Sequence, residues 1–558
     1  MDVSLISNVS LGRLIFDACQ TRGIQEALAF SEEGPNGSGL NFVYRSLLQE
    51  IDFMATALLS IGLTAGDHVT LWGSNHSELL IATYACARAR LIFTNINPAT
   101  PVDVLVSQLV QTDCKCLIGF PTIKPGHCYA TLVSRLPEME NFMPGKLSLT
   151  SVPLLKHVII AEGKDAATYP GCYKMFDLLL SIAKPETQKL NEMCDASNSN
   201  ELCTIQYTSG TSGDQKPVCL SHFQIINACA VATKRLYLDQ PGEILCCPVP
   251  VFRTPILAIA AFAPFVCGCK VVFPSPSPQP PAIFKAIQSQ KCTTMITNPI
   301  AFHLMLRLPT RAKFDLSSMT SVCLAGDNLP TELINIMQKS TNITDVTTGY
   351  LSTDVIALPF YFATDGNPTK LMDTVGTVGD HYEAKIVESD SGTIVPVGKP
   401  GELWIKPVGG STFLGYYKDE QLTKQFFRDG WIFTGDMAVM DEDGYIKLAG
   451  LKSDLFHHNG TLIYPIQMER TINGHKSIVG CQIVQTPQGK LVICAICKNR
   501  GAGSKELHHE LIELCKTEKL PEPDHVLFMD DFPRSLTKRI QKFRLKEMVP
   551  DLLEELKK

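Results

Sequence analysis

The sequence predicts an α/β protein with a large N-terminal domain of helix-covered parallel sheets, which includes a small barrel-like β subdomain, and a small α/β C-terminal domain. Over roughly the first 400 residues, apolar strand-like runs alternate with amphipathic helix-like runs, which favours parallel sheets covered by helices. From about Gly376 the strands become short and are separated by Gly, Pro and Asp turns. A predicted hairpin and a charged connector near residue 450 then separate the two predicted domains, 1–450 and 451–558.

Individual segments fit this scheme. Apolar or alternating runs predict strands, and a run with helical spacing between the first two of them predicts a helix. The predicted strands are HVTLWGS, KCLIGF, LKHVIIAEG, CKVVFP, TTMITNP and TSVCLAGD, and the predicted helix is LLIATYACARA. Farther along, EAKIVESDSGTIVPVGKPGELWIKP predicts the antiparallel or barrel-like patch, and DEDGYIKLAGLKSD predicts the hairpin and connector.

Length and composition set limits on the function. The chain has 558 residues, of which 45% are hydrophobic and 19% charged, with a net charge of −6. This length exceeds what one hydrophobic core supports, so we expect two or more domains. The composition excludes disorder of the whole chain, and the small net charge gives no indication of a nucleic-acid partner.

The sequence shows no export or membrane signal. The first residues, MDVSLISNVSLGRLIF, lack the basic start, apolar run and cleavage site of a signal peptide. The most apolar stretch, residues 254–269, contains two prolines and is shorter than the roughly 20 residues of a membrane-spanning helix, so we predict buried core. We expect an intracellular, cytoplasmic protein without a transmembrane segment, and association with peroxisomes or another organelle stays open.

The 20 cysteines have no regular spacing. Without an export signal they are expected to be reduced thiols rather than a disulfide framework. One pair, Cys494 and Cys497 in LVICAIC, has CxxC spacing. The apolar surroundings favour a core strand, and metal or redox use is the alternative.

The segment YTSGTSGDQKP, residues 207–217, joins two predicted elements. The preceding CTIQY alternates in polarity, which indicates a strand. Ser221 can cap a helix that begins HFQIINACAV. The sequence therefore predicts a loop between a strand and a helix.

Glycines and hydroxyl residues surround one lysine in this loop. Gly210 and Gly213 let the backbone turn tightly and bring amides close to a ligand, and Lys216 adds a positive charge. The hydroxyl donors are Thr208, Ser209, Thr211 and Ser212. Such a loop suits a polyphosphate, although its order is not that of a Walker A motif. Taken alone, the residues fit a solvated Ser/Gly turn equally well.

The same loop resembles the phosphate loop of the adenylate-forming superfamily, which includes acyl-CoA synthetases of the coumarate-CoA-ligase kind, peptide-synthetase adenylation domains and luciferases. Further motifs of that superfamily follow in its order and cover most of the chain. They are LAGDNLP, TTGYLSTD, GELWIKPVGGSTFLGYYKDEQLT, DGWIFTGDMAVMDEDGYIKLAG, NGTLIYPIQME and FPRSLTKRIQKFRLKE. So many motifs in order exclude chance similarity.

The resemblance implies a two-step reaction. A small carboxylic acid reacts with ATP to give an acyl adenylate and pyrophosphate, and the acyl group then passes to a thiol, that of coenzyme A in acyl-CoA synthetases. ATP, Mg²⁺ and coenzyme A are the implied cofactors. The region 451–558 is implied to be a mobile lid that supplies different residues to the two steps.

The resemblance also assigns roles to residues. Gly326 and Asp327 match the adenine-pocket turn, and Tyr350 lies in the next motif. Thr353 and Asp354 match a Thr-Glu pair whose acid helps to hold the metal, so Asp354 is one methylene shorter than usual. Asp436 matches the aspartate that accepts hydrogen bonds from the ribose hydroxyls.

The terminal motif departs from the family. It usually reads S-G-K-I, and here it reads TKRI, with Ile540 fixing the register. Arg539 therefore replaces the catalytic lysine and Lys538 replaces the glycine. Arginine keeps the charge but is bulkier and planar, so it is not equivalent to lysine at a point contact.

Three further departures fall at functional positions. In the hinge motif, Leu451 replaces an arginine and Ser453 replaces the usual hinge residue. Arg253, with Thr254 beside it, replaces a histidine near the acyl channel, where a cation could pair with an acidic substrate or block the channel. Pro217 removes a backbone N–H directly after Lys216.

Two interpretations remain open at this point. One is a divergent ATP-dependent acid–thiol ligase in which Arg539 takes the lysine's role, and the retained loop, Asp354 and Asp436 favour it. The other is a catalytically degenerate member that binds a nucleotide or acyl group as a regulatory protein. A peptide-synthetase adenylation module is disfavoured because no carrier-domain motif is present.

Overall fold

The computed structural model contains two compact units. It describes residues 8–33, 38–121, 126–161, 168–210, 214–277, 279–326, 329, 331–356, 360–361, 370, 374–410, 413–498, 505–534 and 539–555. Unit 1 comprises Met1–Thr208, Pro217–Glu383 and Ile405–Ile432, and unit 2 comprises Ser209–Lys216, Ala384–Trp404 and Phe433–Lys558. The predicted boundary at residue 450 stays a prediction.

The helices alternate with strands along most of the chain. They are α1 Leu11–Arg22, α2 Tyr44–Ser60, α3 Ser77–Arg88, α4 Val102–Gln111, α5 His127–Arg135, α6 Met175–Leu180, α7 Thr187–Asp195, α8 His222–Arg235, α9 Thr254–Ile256, α10 Phe262–Val266, α11 Pro280–Gln290, α12 Pro299–Leu306, α13 Thr331–Ser340, α14 Glu420–Phe426, α15 Pro465–Asn473, α16 Lys505–Thr517 and α17 Lys542–Glu555. Shorter 3₁₀ turns lie at Pro137–Asn141, Pro309–Lys313, Val408–Gly410 and Lys452–Asp454.

The strands form sheets in both units. They are β1 Glu26–Phe30, β2 Leu40–Val43, β3 His68–Trp72, β4 Ile92–Ile96, β5 Cys114–Gly119, β6 His157–Ile160, β7 Tyr173–Lys174, β8 Leu202–Tyr207, β9 Pro217–Ser221, β10 Ile244–Cys246, β11 Lys270–Phe273, β12 Thr294–Thr297, β13 Ser321–Ala325, β14 Asp345–Gly349, β15 Phe360–Tyr361, β16 Thr377–Val378, β17 Glu383–Val387, β18 Gly401–Lys406, β19 Phe427–Arg428, β20 Trp431–Met440, β21 Ile446–Leu451, β22 Phe456–His458, β23 Thr461–Ile463, β24 Ile478–Gln485, β25 Leu491–Cys497 and β26 His525–Phe528.

Unit 1 contains two large sheets. One has the order β7-β6-β5-β3-β4-β8-β9 and is parallel except for β9, which is antiparallel to β8. The other has the order β16-β15-β14-β13-β12-β10-β11-β1-β2, with a parallel centre and antiparallel edges. Continuous burial along strands such as β3 is typical of a parallel sheet that is covered on both faces. The predicted strands and the predicted helix of this region are confirmed.

The most apolar stretch of the sequence is buried, as predicted. It forms α9, a π-helical turn at Leu257–Ala261, and α10, and the side chains of all three elements are buried almost without exception. Within the described ranges, the helices are all too short or too polar to cross a bilayer.

A five-stranded sheet lies where the sequence predicts an antiparallel or barrel-like patch. Its order is β17-β18-β20-β19, and β21 pairs with β20. The pairs of β20 with β19 and with β21 are antiparallel. The predicted hairpin near residue 450 is therefore confirmed as β20 and β21.

The last part of unit 2 is a small α/β layer structure around the sheet β24-β25-β26. Ile493 contributes to the apolar cluster that contains residues of α15 and α16, whereas Cys494 belongs to the cluster that contains Leu545 and Val549 of α17. Cys497 packs against the first cluster, so the two sulfurs of the CxxC pair lie on opposite faces of β25. This placement supports the core-strand interpretation of LVICAIC over a shared metal or redox site.

Candidate functional site

The predicted phosphate loop lies in a β-hairpin. β8 ends at Tyr207 and β9 begins at Pro217, and these two residues are paired in the antiparallel ladder. The prediction that the loop joins a strand directly to a helix is wrong, because the short run PVCLS forms a buried strand first. Ser221 caps α8 as predicted, in a capping box with Gln224.

The described part of the loop has the backbone and side chains that an anion site requires. Gly210 is buried with φ +64°, in the left-handed region that glycine adopts without strain. Thr208, Ser209 and Lys216 are half-buried. The predicted residues Thr211, Ser212 and Gly213 lie outside the described residues. Because α8 begins only after β9, the predicted anion binding would depend on amides, hydroxyls and the lysine rather than on a helix N-terminus.

Pro217 occupies a position that tolerates its missing N–H. It is the first residue of β9, where proline is acceptable in a strand. Its carbonyl oxygen accepts a hydrogen bond from the Tyr417 amide at 2.9 Å. This departure from the family pattern is therefore accommodated by the hairpin.

Asp354 lies in a tight turn after β14. Tyr416 Oη donates to its Oδ1 at 2.7 Å, and Ser352 Oγ donates to its Oδ2 at 3.3 Å. Ser352 and Ile356 form a bridge across the turn, and Ile356 has φ +68°. A β-branched residue rarely adopts such a value, so the turn that carries Thr353 and Asp354 is strained.

The predicted adenine residues lie at the carboxyl edge of the nine-stranded sheet. Ala325 of β13 is paired with Gly349 of β14 in parallel register, so Gly326 and Tyr350 both follow the ends of neighbouring strands. Gly326 has φ +91°, and Tyr350 is buried. Ligands of parallel α/β sheets bind at this edge. Asp327 lies outside the described residues.

The predicted ribose carboxylate and the first hinge residue are cross-strand neighbours. Asp436 of β20 is paired with Leu451 of β21, and a register shift follows between Met437 and Ala438. The Asp436 amide is hydrogen-bonded to Thr434 Oγ1 at 3.1 Å. Side chains of directly paired residues lie roughly 5 Å apart at Cβ, so Leu451 places an aliphatic group where the family has an arginine beside this carboxylate.

The predicted hinge segment after Leu451 is held by two ion pairs and a hydrogen bond within unit 2. Lys452 Nζ lies 3.2 Å from Oε2 of the buried Glu402. Lys546 Nζ donates to the Ser453 carbonyl at 3.0 Å. Asp454 Oδ2 lies 3.5 Å from Lys542 Nζ. Sequence reasoning identified Leu451 and Ser453 but not these anchoring residues.

The terminal motif contacts the phosphate loop within unit 2. Gln541 Nε2 donates to the Gly210 carbonyl at 3.3 Å, and the Gln541 amide donates to the Pro533 carbonyl at 2.8 Å. Arg539 is half-buried two residues before Gln541. Lys538 lies outside the described residues.

Lys542 fixes the start of α17 behind this motif. Its Nζ lies 2.5 Å from Glu469 Oε1, and both side chains are nearly buried. Glu469 also accepts the Ile483 amide at 2.9 Å. Burial raises the pKa of Glu469, and the charge of Lys542 opposes that shift.

The predicted acyl-channel residues lie at the end of a loop that a buried asparagine holds. Asn75 Nδ2 donates to the Val249 carbonyl at 3.0 Å, and the Val251 amide donates to Asn75 Oδ1 at 2.9 Å. Arg253 is half-buried. Thr254 is 1% exposed, and its hydroxyl has no hydrogen-bond partner among the described residues. A buried hydroxyl without a partner is a suitable hydrogen-bonding site for a ligand or an ordered water.

Comparison with known proteins decides the family. A model of the AMP-binding enzyme family matches residues 16–417. The chain belongs to the AMP-binding enzyme family. It is 30% identical over 530 residues to the mitochondrial medium-chain acyl-CoA ligase ACSF2 of Danio rerio, covering 94% of this chain and 85% of that protein. It is 29% identical to the putative acyl-CoA synthetase YngI of Bacillus subtilis (strain 168), covering 96% of each chain.

Solved structures of AMP-binding relatives share the fold. The anthranilate CoA ligase AuaEII in complex with anthranoyl-AMP superposes with a TM-score of 0.80 at 20% identity, covering 98% of each chain. ATP-bound MatB from Rhodopseudomonas palustris superposes with a TM-score of 0.79 at 20% identity, covering 98% of this chain and 100% of that one. The predicted fold, with a large N-terminal and a smaller C-terminal domain, is confirmed.

Membership of the AMP-binding family also confirms the predicted class of activity. The protein is an AMP-forming acid–thiol ligase, which activates a carboxylic acid with ATP to an acyl adenylate and transfers the acyl group to coenzyme A. The acid, ATP and coenzyme A are its substrates. The roles of individual residues stay predictions.

Proposed function

We propose that this chain is an acyl-CoA synthetase for medium-chain aliphatic carboxylic acids that uses Mg²⁺ through Asp354 and Arg539 in place of the family lysine. The names of the curated relatives support the chain length of the acid. The contact of Gln541 with the Gly210 carbonyl carries the proposal for Arg539, because it ties the terminal motif to the phosphate loop.

The donor set around Asp354 fits magnesium. Mg²⁺ prefers oxygen ligands and is usually held by one or two carboxylates together with substrate phosphates, which the carboxylate of Asp354 suits. In keeping with this, the described residues contain no group of three or more His, Cys, Asp or Glu side chains that would hold a metal alone. When bound, the ion neutralises charge on the phosphates of ATP.

The remaining roles belong to the chain itself. In the first step a carboxylate oxygen attacks the α-phosphorus and pyrophosphate leaves, so two anions must approach each other. Lys216 and the amides of its loop would hold the β- and γ-phosphates, and Asp436 would accept the ribose hydroxyls. Arg539 would neutralise the charge that develops between the acid and the α-phosphate.

The second step consumes the adenylate. The thiol of coenzyme A attacks the acyl carbonyl, the thioester forms and AMP leaves. In the family this step follows a movement at the hinge, here Leu451 and Ser453. We retain an intracellular location, cytoplasmic or organelle-associated, as a proposal that imaging of the tagged protein tests.

A pyrophosphate-release assay tests the proposed function. Purified protein with ATP and Mg²⁺ receives straight-chain monocarboxylic acids from acetate to palmitate and, in parallel, dicarboxylic acids. We expect release that peaks with medium-chain monocarboxylates and a CoA thioester on addition of coenzyme A. Asp436→Asn is the control that should lose nucleotide binding.

Each other outcome has a distinct meaning. A preference for dicarboxylates would overturn the proposed substrate class and would favour a pairing of Arg253 with the second carboxylate. ATP binding without release across the panel would favour the regulatory interpretation, for which Arg539 and Leu451 are the motivating departures.

A further inference from the structure

The hydroxyl of Tyr416 is directed at the carboxylate that we propose as the metal ligand. The Tyr416 side chain is buried at 3% exposure, and its hydroxyl donates to Asp354 Oδ1 at 2.7 Å. A hydrogen bond to an ionised acceptor is among the stronger kinds in proteins. No local sequence pattern indicates this pair, since 62 positions separate the two residues.

Tyr416 is itself held rigidly. It forms an antiparallel bridge with Val218 of β9, and the Cys219 amide donates to the Gly415 carbonyl at 2.9 Å. Its own amide donates to Thr423 Oγ1 at 3.0 Å. The segment around Tyr416 therefore continues the ladder of β9, the strand that follows the phosphate loop in the chain.

Aromatic packing fixes the phenol ring as well. Phe413 and Phe426 lie edge-on to the ring at centroid distances of 5.6 and 5.8 Å. A phenol hydroxyl is a hydrogen-bond donor at neutral pH, so the hydroxyl of Tyr416 can donate to Asp354 without any shift in its pKa. The ring position does not depend on the hydroxyl, which makes removal of that one group a clean perturbation.

Asp354 needs such support for two reasons. Its side chain is shorter than the glutamate of the family pattern, and the turn that carries it is strained at Ile356. The hydroxyl of Ser352 also donates to Asp354, at 3.3 Å, which is long for an O–H···O contact. The hydrogen bond from Tyr416 to Oδ1 is therefore short, whereas the hydrogen bond from Ser352 to Oδ2 is long and weaker.

We propose that Tyr416 is the positioning residue of the metal carboxylate: its hydroxyl orients Asp354 so that the shorter acid can bind the Mg²⁺ of MgATP, and it ties that acid to β9. This inference rests on the proposed role of Asp354 in the ligase. It assigns Tyr416 no contact with the substrate.

The test compares two adjacent tyrosines. Tyr416→Phe removes only the hydroxyl on Asp354. Tyr417→Phe is the matched control, because the Tyr417 hydroxyl donates to Asp113 Oδ2 at 2.9 Å instead. Calorimetry measures ATP affinity for each variant with Mg²⁺ and with EDTA, and thermal unfolding checks that both fold.

We expect Tyr416→Phe to weaken MgATP binding about 10-fold and leave ATP binding in EDTA unchanged, because one charge-assisted hydrogen bond is lost. Tyr417→Phe should change neither affinity. In an Asp354→Asn background, Tyr416→Phe should have little further effect on MgATP binding, since the two residues act together.

Several results would overturn the inference. Tyr416→Phe could weaken ATP binding equally with Mg²⁺ and with EDTA, or Tyr417→Phe could weaken MgATP binding as much as Tyr416→Phe does. Tyr416→Phe could also weaken MgATP binding in the Asp354→Asn background as much as it does in the wild type. If the wild type forms acyl-CoA while Tyr416→Phe keeps its Mg²⁺ dependence, only the inference fails. If the wild type binds MgATP and forms no thioester, only the proposed function fails. Absence of MgATP binding by the wild type would reject both.

Discussion

Unit 1 and unit 2 differ in the contacts that surround the residues that depart from the family pattern. In unit 1, Asp354 accepts a hydrogen bond from the Tyr416 hydroxyl. Pro217 is the first residue of β9, and its carbonyl oxygen accepts a hydrogen bond from the Tyr417 amide. In unit 2, Leu451 brings no charge to Asp436, and the nearby lysines are engaged with acids elsewhere in the same unit. The difference indicates that neighbouring residues of unit 1 support the proposed metal carboxylate and the strand after the predicted phosphate loop, whereas the proposed catalytic cation and hinge of unit 2 differ from the family residues. The following predictions challenge or refine that contrast.

The largest effect is expected at Arg539. Arg539→Ala should slow acyl-adenylate formation by about 10²–10³-fold, because a donor to developing charge in the transition state is lost. Single-turnover pyrophosphate release measures this rate. Arg534→Ala is the control in the same segment, since Arg534 pairs with the exposed Asp531 at 3.3 Å.

Arg539→Lys tests whether the ligase is specialised for arginine at the position of the family lysine. A fall in rate would show an enzyme specialised for arginine. A rise in rate would show that Arg539 lowers the activity of this enzyme and that the lysine of the family restores it. An unchanged rate in Arg539→Ala would contradict any catalytic role for this position.

Lys542→Met should destabilise the protein by about 3 kcal/mol, because it leaves Glu469 buried without its partner. Urea unfolding monitored by fluorescence measures the free energy. Addition of Glu469→Gln should recover part of the loss. Lys546→Met, at a more exposed lysine, should cost less than 1 kcal/mol as for a surface ion pair. Equal costs for both lysines would show that the anchoring of α17 is not concentrated at Lys542.

Asn75→Ala should raise KM for the acid about 10-fold and leave KM for ATP unchanged. The side chain satisfies two backbone groups of the loop before Arg253, and leaving them unpaired costs about 1–3 kcal/mol. Steady-state kinetics with each substrate varied in turn measure the two constants. Asn198→Ala, in an exposed turn, is the control. A matching rise in KM for ATP would contradict a local role in the acyl channel.

The smallest effect is expected at Leu451. Leu451→Arg should tighten AMP binding about threefold, because a cross-strand cation beside Asp436 is worth at most about 1 kcal/mol. Calorimetry with AMP measures this change. Leu451→Gln, polar but uncharged, should leave the affinity unchanged. Equal tightening by both variants would assign the effect to polarity rather than charge.

The sequence predicts regular elements better than long-range pairs. Strands such as β3 and the Ser221 cap are visible in local patterns, because apolar runs and capping depend on neighbours in the chain. β9 escaped prediction because its five residues begin with proline and are too few to show alternation. The bonds of Tyr416 to Asp354 and of Gln541 to Gly210 join residues 62 and 331 positions apart, which no local pattern reveals.

Cysteine burial gives this protein two natural attachment points for fluorescent probes. Of its 20 cysteines, only Cys267 in unit 1 and Cys497 in unit 2 are half-buried rather than buried. The hydrogen bond with Cys269 lowers the pKa of Cys267, whereas burial raises that of Cys497, so a maleimide dye should modify Cys267 first. Sequential donor and acceptor labelling would then test, without engineered thiols, whether the distance between the two labelled cysteines changes during turnover.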